Sequence, residues 1–125
     1  MRIEKDSMGK KAVPETAYYG IHTCRSLENF NVAGEALPLE LIYAMVKLKY
    51  ACAEANRKLN LLTEDKANAI TAACEKILEG GFEDQFPIDI FQAGSGTSSN
   101  MNVNEVVANI ACELLGGKRG DRTLV

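Results

Sequence analysis

Apolar residues recur at helical spacing in three stretches of the chain, and the first stretch is the longest. Steps of three and four residues place apolar side chains on one face of a helix, and here they connect Leu41, Met45, Leu48, Cys52, Ala55 and Leu59. Pro38 suits a first helical position because its missing N–H costs nothing there, and Asn60 is a suitable stop. We therefore predict a helix over residues 38–59. Ile42 and Val46 widen its apolar face, so we expect more than one neighbour to cover it.

A second helix is predicted directly after this one. Thr63 is a good N-cap, and Glu64 and Asp65 favour the positive end of a helix. A glycine pair at residues 80–81 ends the pattern. The apolar face consists of Ala67, Ile70, Cys74, Ile77 and Leu78. Because the link at residues 60–62 is short, we expect the two helices to form an antiparallel hairpin.

The third apolar stripe contains Val103, Val107, Ile110 and Leu114. It predicts a helix that begins between Ser98 and Asn104 and ends at Leu115, before a second glycine pair. Residues 82–92 predict an extended connection, because Pro87 lacks the N–H that a central strand needs.

The first 36 residues show no helical periodicity and predict an irregular or short-strand segment. We expect a turn at residues 7–11, a short strand or loop at 18–23, and one or two helical turns at 25–30. The pattern as a whole predicts a mainly α fold, with a single domain over residues 1–125.

Composition and charge argue against several classes of function. The length of 125 residues and the hydrophobic fraction of 46% are enough for one domain with a core. The net charge is −3 with no basic stripe, so nucleic acid is not an expected partner. No apolar signal segment follows Met1, and no apolar run reaches the length of a membrane span. We therefore expect a cytoplasmic protein with no membrane partner.

The chain contains four cysteines, Cys24, Cys52, Cys74 and Cys112, and one histidine, His22. No Cys-x-x-Cys pair occurs, and a single histidine contributes little to a zinc site, so we expect no metal. Three of the cysteines lie in apolar helical patterns, which favours buried free thiols in a reducing compartment. Redox sensing or a disulfide is the alternative.

The loop at residues 94–99, Gly-Ser-Gly-Thr-Ser-Ser, is the candidate binding site. A Walker loop requires a lysine that is absent here, and Ser99 stands where a dinucleotide loop has its third glycine. Two interpretations remain. The loop is a structural connection to a capped helix, or it binds a carboxylate with the hydroxyls of Thr97, Ser98 and Ser99 and the positive end of the helix.

Asparagines favour the second interpretation. Four of them fall within ten residues of the third helix, at Asn100, Asn102, Asn104 and Asn109. Asparagine is a weak helix former because its amide competes for backbone partners, and breaks of a local rule often mark a functional site. A purely structural role is expected for Asn109 and in part for Asn100.

Residues 94–109, Gly-Ser-Gly-Thr-Ser-Ser-Asn-Met-Asn-Val-Asn-Glu-Val-Val-Ala-Asn, resemble the N-terminal signature of the class II fumarase/aspartase superfamily. Other matching stretches are residues 2–9, 13–14, 17–23, 25–30 and 84–89. The resemblance implies the N-terminal helical domain of that fold. It also implies a longer protein that assembles into a homotetramer, each active site taking residues from three subunits. The catalytic histidine region and the mobile loop with the general base would lie outside this chain. No catalytic residue is therefore expected within it, and His22 is expected to be structural.

The resemblance further implies anti elimination from a small dicarboxylate such as aspartate, malate or fumarate, with no cofactor. Ser95, Gly96 and Thr97 would bind the substrate, and Ser98, Asn100 and Asn102 are secondary candidates. Residues 17–23 resemble aspartate ammonia-lyase more closely, whereas residues 4–9 and the presence of Ser95 resemble fumarate hydratase. Aspartate ammonia-lyase is narrowly favoured. Fumarate hydratase and a non-catalytic anion-binding or interaction module are the alternatives.

Overall fold

The opening segment forms a β-hairpin followed by a short helix. The computed structural model describes residues 1–125, and its first elements are the antiparallel strands β1 (Arg2–Asp6) and β2 (Gly9–Val13). The predicted turn at residues 7–11 is confined to Ser7 and Met8, where the Met8 N–H donates to Asp6 Oδ1 at 2.9 Å. The prediction left an irregular segment and short strands open here, and the hairpin confirms the short strands.

Helix α1 (Ile21–Asn29) begins inside the segment that was predicted as a short strand or loop. It includes most of the helical turns predicted at residues 25–30. Its apolar residues pack with the end of the hairpin in a small core of Val13, Ala17, Ile21 and Cys24. The first turn of α1 is stabilised by side chains distant in sequence, which explains why the local pattern did not predict it.

The three long helices are α2 (Leu39–Lys58), α3 (Glu64–Glu79) and α4 (Thr97–Leu114). The mainly α prediction is confirmed, and the ends of α2 and α3 lie within a residue or two of those predicted. Thr63 caps α3 by accepting a hydrogen bond from Lys66 N–H at 3.5 Å. Helix α4 begins one residue before the predicted range. No helix is both long enough and apolar enough to cross a lipid bilayer.

The main core lies where α2, α3 and α4 meet. Its buried side chains are Ile42, Val46, Ala69, Ala73, Cys74, Ile77, Phe86, Val103, Val106, Val107, Ile110 and Ala111. Burial of each large aliphatic side chain stabilises the fold by about 1.5–3 kcal/mol. This core fixes α4 against the α2–α3 hairpin and thereby sets the position of the loop that precedes α4.

The structure corrects the prediction of which face of α2 packs against the core. Leu41, Leu48 and Leu59 are 47%, 58% and 66% exposed, whereas Ile42, Val46 and Ala53 face the core. The two sets are offset by one residue, which is a rotation of about 100° around the helix. Helix α2 carries apolar residues on both faces, and the periodicity alone favoured the longer stripe.

Residues 82–92 lead from α3 to the candidate loop. A short 3₁₀ turn (Glu83–Gln85) precedes an irregular segment in which Phe86 and Ile88 are buried. The Asp89 carboxylate, also buried, accepts hydrogen bonds from the N–H groups of Phe91 and of residues 32–34. These four bonds lower the pKa of the Asp89 carboxyl below its ordinary value of 3.8, and the bond from Phe91 N–H has the largest effect.

Candidate functional site

The candidate site is the N-terminus of α4. Gly96 is the N-cap residue, and its φ of +77° lies in the left-handed region that favours glycine. On either side of it, Ser95 Oγ and Thr97 Oγ1 lie 2.9 Å apart. Two hydroxyls that share one hydrogen bond retain one further proton to donate. Ser95 and Thr97 are both exposed, so this hydroxyl pair faces solvent.

Backbone donors at the same helix end are also free. Gln92 Oε1 accepts from Ser99 N–H at 2.9 Å, and the Asn100 N–H donates to Gly96 O at 3.0 Å. Gln92 thus caps the helix with its side chain although the N-cap residue is Gly96. The N–H groups of Thr97 and Ser98 donate to no group of the chain. We define the α4 site as the hydroxyls of Ser95 and Thr97 together with these two N–H groups.

Helix α4 differs from the other helices in having no carboxylate at its N-terminus. At α1, Glu4 Oε2 accepts from Ile21 N–H at 3.0 Å, and Glu105 accepts from the N–H groups of His22 and Thr23 at 2.9 Å each. Helices α2 and α3 have acidic residues in their first turns, but α4 has none. The partial positive charge at the start of α4 is therefore not matched by any acidic residue in its first turn.

A cation lies beside this helix end. The Nζ of Lys49 on α2 donates to Asn100 Oδ1 at 2.6 Å, and it forms no ion pair with a carboxylate of the chain. Sequence reasoning missed both Lys49 and Gln92. The signal for Lys49 was its spacing: it lies three residues after Val46 and four before Ala53, on the core-facing side of α2.

The secondary candidates separate into two groups. Asn100 is half-buried beside Lys49 in the first turn of α4, and it remains a candidate next to the α4 site. Asn102 is fully buried, and its Nδ2 donates to Gln85 O at 2.9 Å, whereas its Oδ1 is buried without a hydrogen-bond partner, so its role in the site stays a prediction. The Ser98 side chain is also buried, which leaves its backbone N–H as its contribution to the site.

The structural role expected for Asn109 is confirmed, and that of His22 is not tested. Asn109 Nδ2 donates to Tyr18 O at 2.6 Å, and its Oδ1 accepts from Gly120 N–H at 2.8 Å, so its amide joins two distant loops. His22 has an exposed side chain and takes part in the first turn of α1 only through its backbone N–H, so a structural role for its ring stays a prediction.

The thiols follow the prediction with one exception. All four cysteines are free, and Cys24, Cys74 and Cys112 are buried, but Cys52 is exposed because it lies on the outer stripe of α2. Burial raises the pKa of the Cys74 thiol to about 11.

A protein-family model described as "Lyase" matches residues 9–123. Among curated relatives, the fumarate hydratase class II of Wigglesworthia glossinidia brevipalpis is 52% identical over 124 residues, which is 99% of this chain and 27% of that protein. This chain belongs to the fumarase/aspartase superfamily of lyases. The aspartate ammonia-lyase of Escherichia coli K12 is 47% identical over 124 residues, covering 97% of this lyase chain and 26% of that protein.

A solved structure gives the same assignment. The recombinant class II fumarase from Schistosoma mansoni superimposes with a TM-score of 0.94 at 40% identity, covering 99% of this lyase chain and 26% of that chain. The fold is thus that of the N-terminal domain of fumarase-type lyases. The lyase chain spans about a quarter of the length of the relatives it matches.

Proposed function

We propose that the whole polypeptide in which this chain occurs catalyses a reversible anti elimination that gives fumarate, and that the α4 site binds a carboxylate of the substrate. The observation that carries the proposal is a helix N-terminus with no acidic residue in its first turn, two free N–H groups and an exposed hydroxyl pair. The first turn of α1 supports it, because it binds the carboxylates of Glu4 and Glu105 through the same kind of donors.

The chemistry explains why such donors would matter. The proton next to a carboxylate is weakly acidic, and its removal places extra negative charge on the carboxylate oxygens. Donors aimed at that charge lower the barrier, and loss of one can cost about 3 kcal/mol. Within the chain, the Ser95–Thr97 hydroxyl pair and the N–H groups of Thr97 and Ser98 supply them. The general base would come from outside the chain.

Water is our first candidate for the leaving group, which makes L-malate the substrate and the enzyme a fumarate hydratase. Ser95, the residue that favours this activity, lies in the α4 site and pairs with Thr97. The fumarate hydratase reported above is also more similar than the aspartate ammonia-lyase, at 52% against 47% identity.

Ammonia from L-aspartate is the second candidate, favoured by residues 17–23. In the structure these residues precede α1 and form its first turn. The Tyr18 N–H donates to Gln85 Oε1, and the Tyr18 hydroxyl donates to Glu113 Oε2. The hydrogen bonds of residues 17–23 to α4 reach Glu105, Asn109 and Glu113 and none reaches the α4 site, which is why we place this activity second.

The test is a steady-state assay of the whole polypeptide with L-malate, L-aspartate and fumarate, following the ultraviolet absorbance of fumarate. We expect turnover with one amino or hydroxy acid, and a loss of about 100-fold in kcat/KM for Thr97→Ala. Thr63→Ala removes the hydroxyl that caps α3 and serves as the matched control, with activity unchanged. Absence of fumarate turnover, or full activity of Thr97→Ala, would overturn the proposal.

The isolated chain is expected to have no turnover, because the general base is not part of it. We further propose that the whole polypeptide acts in the cytoplasm as a homotetramer. The four free thiols suit a reducing compartment, and the exposed apolar stripe of α2 is available for packing against further parts of such an assembly.

A further inference from the structure

Lys49 connects α2 to the first turn of α4. Its Nζ lies 2.6 Å from Asn100 Oδ1, a contact between residues 51 positions apart in the chain. Lys49 lines an open, mainly apolar pocket of about 310 Å³ together with Ala53, Ile70 and Val107. The side chain therefore runs along apolar surface and places its ammonium group at the start of α4.

This contact fixes the orientation of the Asn100 amide. A lysine ammonium group has three donors and no acceptor, so the oxygen of the amide must face Lys49. The amide NH₂ then faces away from Lys49, and it donates to no group of the chain. Without Lys49, the amide would be free to rotate and present its oxygen instead.

The NH₂ group lies close to the α4 site. Asn100 follows Thr97 by three residues, and such neighbours on a helix have Cβ atoms about 5–6 Å apart on the same face. The Asn100 N–H also bonds to Gly96 O, which ties the residue to the N-cap. A carboxylate at the α4 site would thus have the Asn100 NH₂ within reach and the Lys49 charge behind it.

We propose that Lys49 is a positioning residue that presents the NH₂ group of Asn100 to the substrate carboxylate at the α4 site. The proposal rests on the proposed function and adds a donor and a positive charge to it. Lys49 acts through Asn100, because its Nζ is engaged by the amide oxygen.

The test is steady-state kinetics of the whole polypeptide with its best substrate. Lys49→Met has similar length and no donor, and we expect it to raise KM about tenfold, the loss of one hydrogen bond to a charged group, with a smaller change in kcat. Lys49→Arg keeps the donor and the charge and should restore KM to within about threefold. Lys47→Met, on the exposed side of α2, is the matched control and should leave KM unchanged.

A double-mutant cycle shows whether Lys49 acts through Asn100. We expect Asn100→Ala to raise KM by a similar factor, and Lys49→Met added to it to have little further effect. If the double variant raises KM by the product of the two single-variant factors, the proposal is overturned. It is also overturned if Lys49→Met lowers the melting temperature but leaves KM unchanged. If the unmutated polypeptide forms no fumarate, the proposed function fails first and this proposal fails with it.

The Asn100 side-chain amide gives a second readout that does not depend on turnover. In a ¹⁵N-labelled sample of the whole polypeptide, fumarate should shift the Asn100 NH₂ resonances, and Lys49→Met should reduce that shift. Resonances that do not respond to saturating fumarate in the unmutated protein would overturn the proposal even if KM changes.

Discussion

Glu105 is predicted to be a principal link between the opening segment and α4. Its carboxylate accepts three hydrogen bonds from the first turn of α1: from the N–H of His22, the N–H of Thr23 and the hydroxyl of Thr23, at 2.9, 2.9 and 2.7 Å. These bonds join residues more than 80 positions apart. They also place a negative charge at the positive end of α1. Glu105→Ala should therefore destabilise the fold without removing any core side chain.

The structure sets the magnitude of this effect. His22 is exposed, so water can replace the partner of its N–H. Thr23 is fully buried, and its N–H and hydroxyl would lose their partner, at about 1–3 kcal/mol for each buried unsatisfied group. Ile21 N–H keeps its bond to Glu4. We expect a total loss of about 3–4 kcal/mol, a large part of the 5–15 kcal/mol typical of a domain.

The assay is urea unfolding followed by circular dichroism, comparing free energies of unfolding at equal m-values. Asn104→Ala is the matched control on the same helix, because the Asn104 amide makes a single side-chain hydrogen bond, to the sulfur of Met101 at 3.8 Å, and it should cost less than about 0.5 kcal/mol. Glu105→Gln keeps one acceptor oxygen and should fall between the two. A loss below about 1 kcal/mol for Glu105→Ala, or one equal to that of the control, would refute the reasoning.

Three further outcomes are expected. A thiol reagent should modify Cys52 first and the buried Cys74, with its raised pKa of about 11, only on unfolding; equal rates in the native state would contradict the burial. Because the folded pKa of Asp89 is lowered from 3.8, its contribution to stability is present above about pH 3.8 and declines as pH falls below it. The stability gap between Asp89→Asn and the unmutated chain in urea titrations should therefore narrow below pH 4. Thr97→Asp places a carboxylate at the start of α4 and should stabilise the chain by about 0.5 kcal/mol while lowering kcat/KM of the whole polypeptide further than Thr97→Ala does.

The helices that the sequence predicted well are those whose signals are local. Helix α3 has its N-cap at Thr63, acidic residues in its first turn and a glycine at its C-cap, all within its own segment. The hairpin and α1 lack such signals. Their stability comes from contacts at long range, such as the Arg2 guanidinium, which donates to the carbonyls of Pro14, Ala17 and Tyr19. Periodicity within a window of residues does not contain this information.

The rotation of α2 was not predictable for a different reason. An apolar stripe that includes Leu41 and Leu48 and one that includes Ile42 and Val46 both satisfy helical spacing, and only packing against α3 and α4 selects the second. The same limit applies to Lys49. From the sequence alone, Lys49 is expected to be a solvated charge. Its contact with Asn100 depends on how α2 and α4 pack, which the sequence pattern does not give.

The donors of the candidate site were predictable because a run of glycine and hydroxyl residues before a helix has a local physical meaning. What the structure adds is the contrast between α1 and α4. Both helix ends have N–H groups with no acceptor within the helix. At α1 those groups donate to Glu4 and Glu105 of the chain itself, whereas the first turn of α4 has no acidic residue. Gln92 caps α4 with a neutral amide oxygen, which satisfies one N–H without cancelling the positive end. The chain's own carboxylates occupy the N-terminus of α1 but not that of α4. The donors at α4 therefore stay available for a carboxylate from outside the chain.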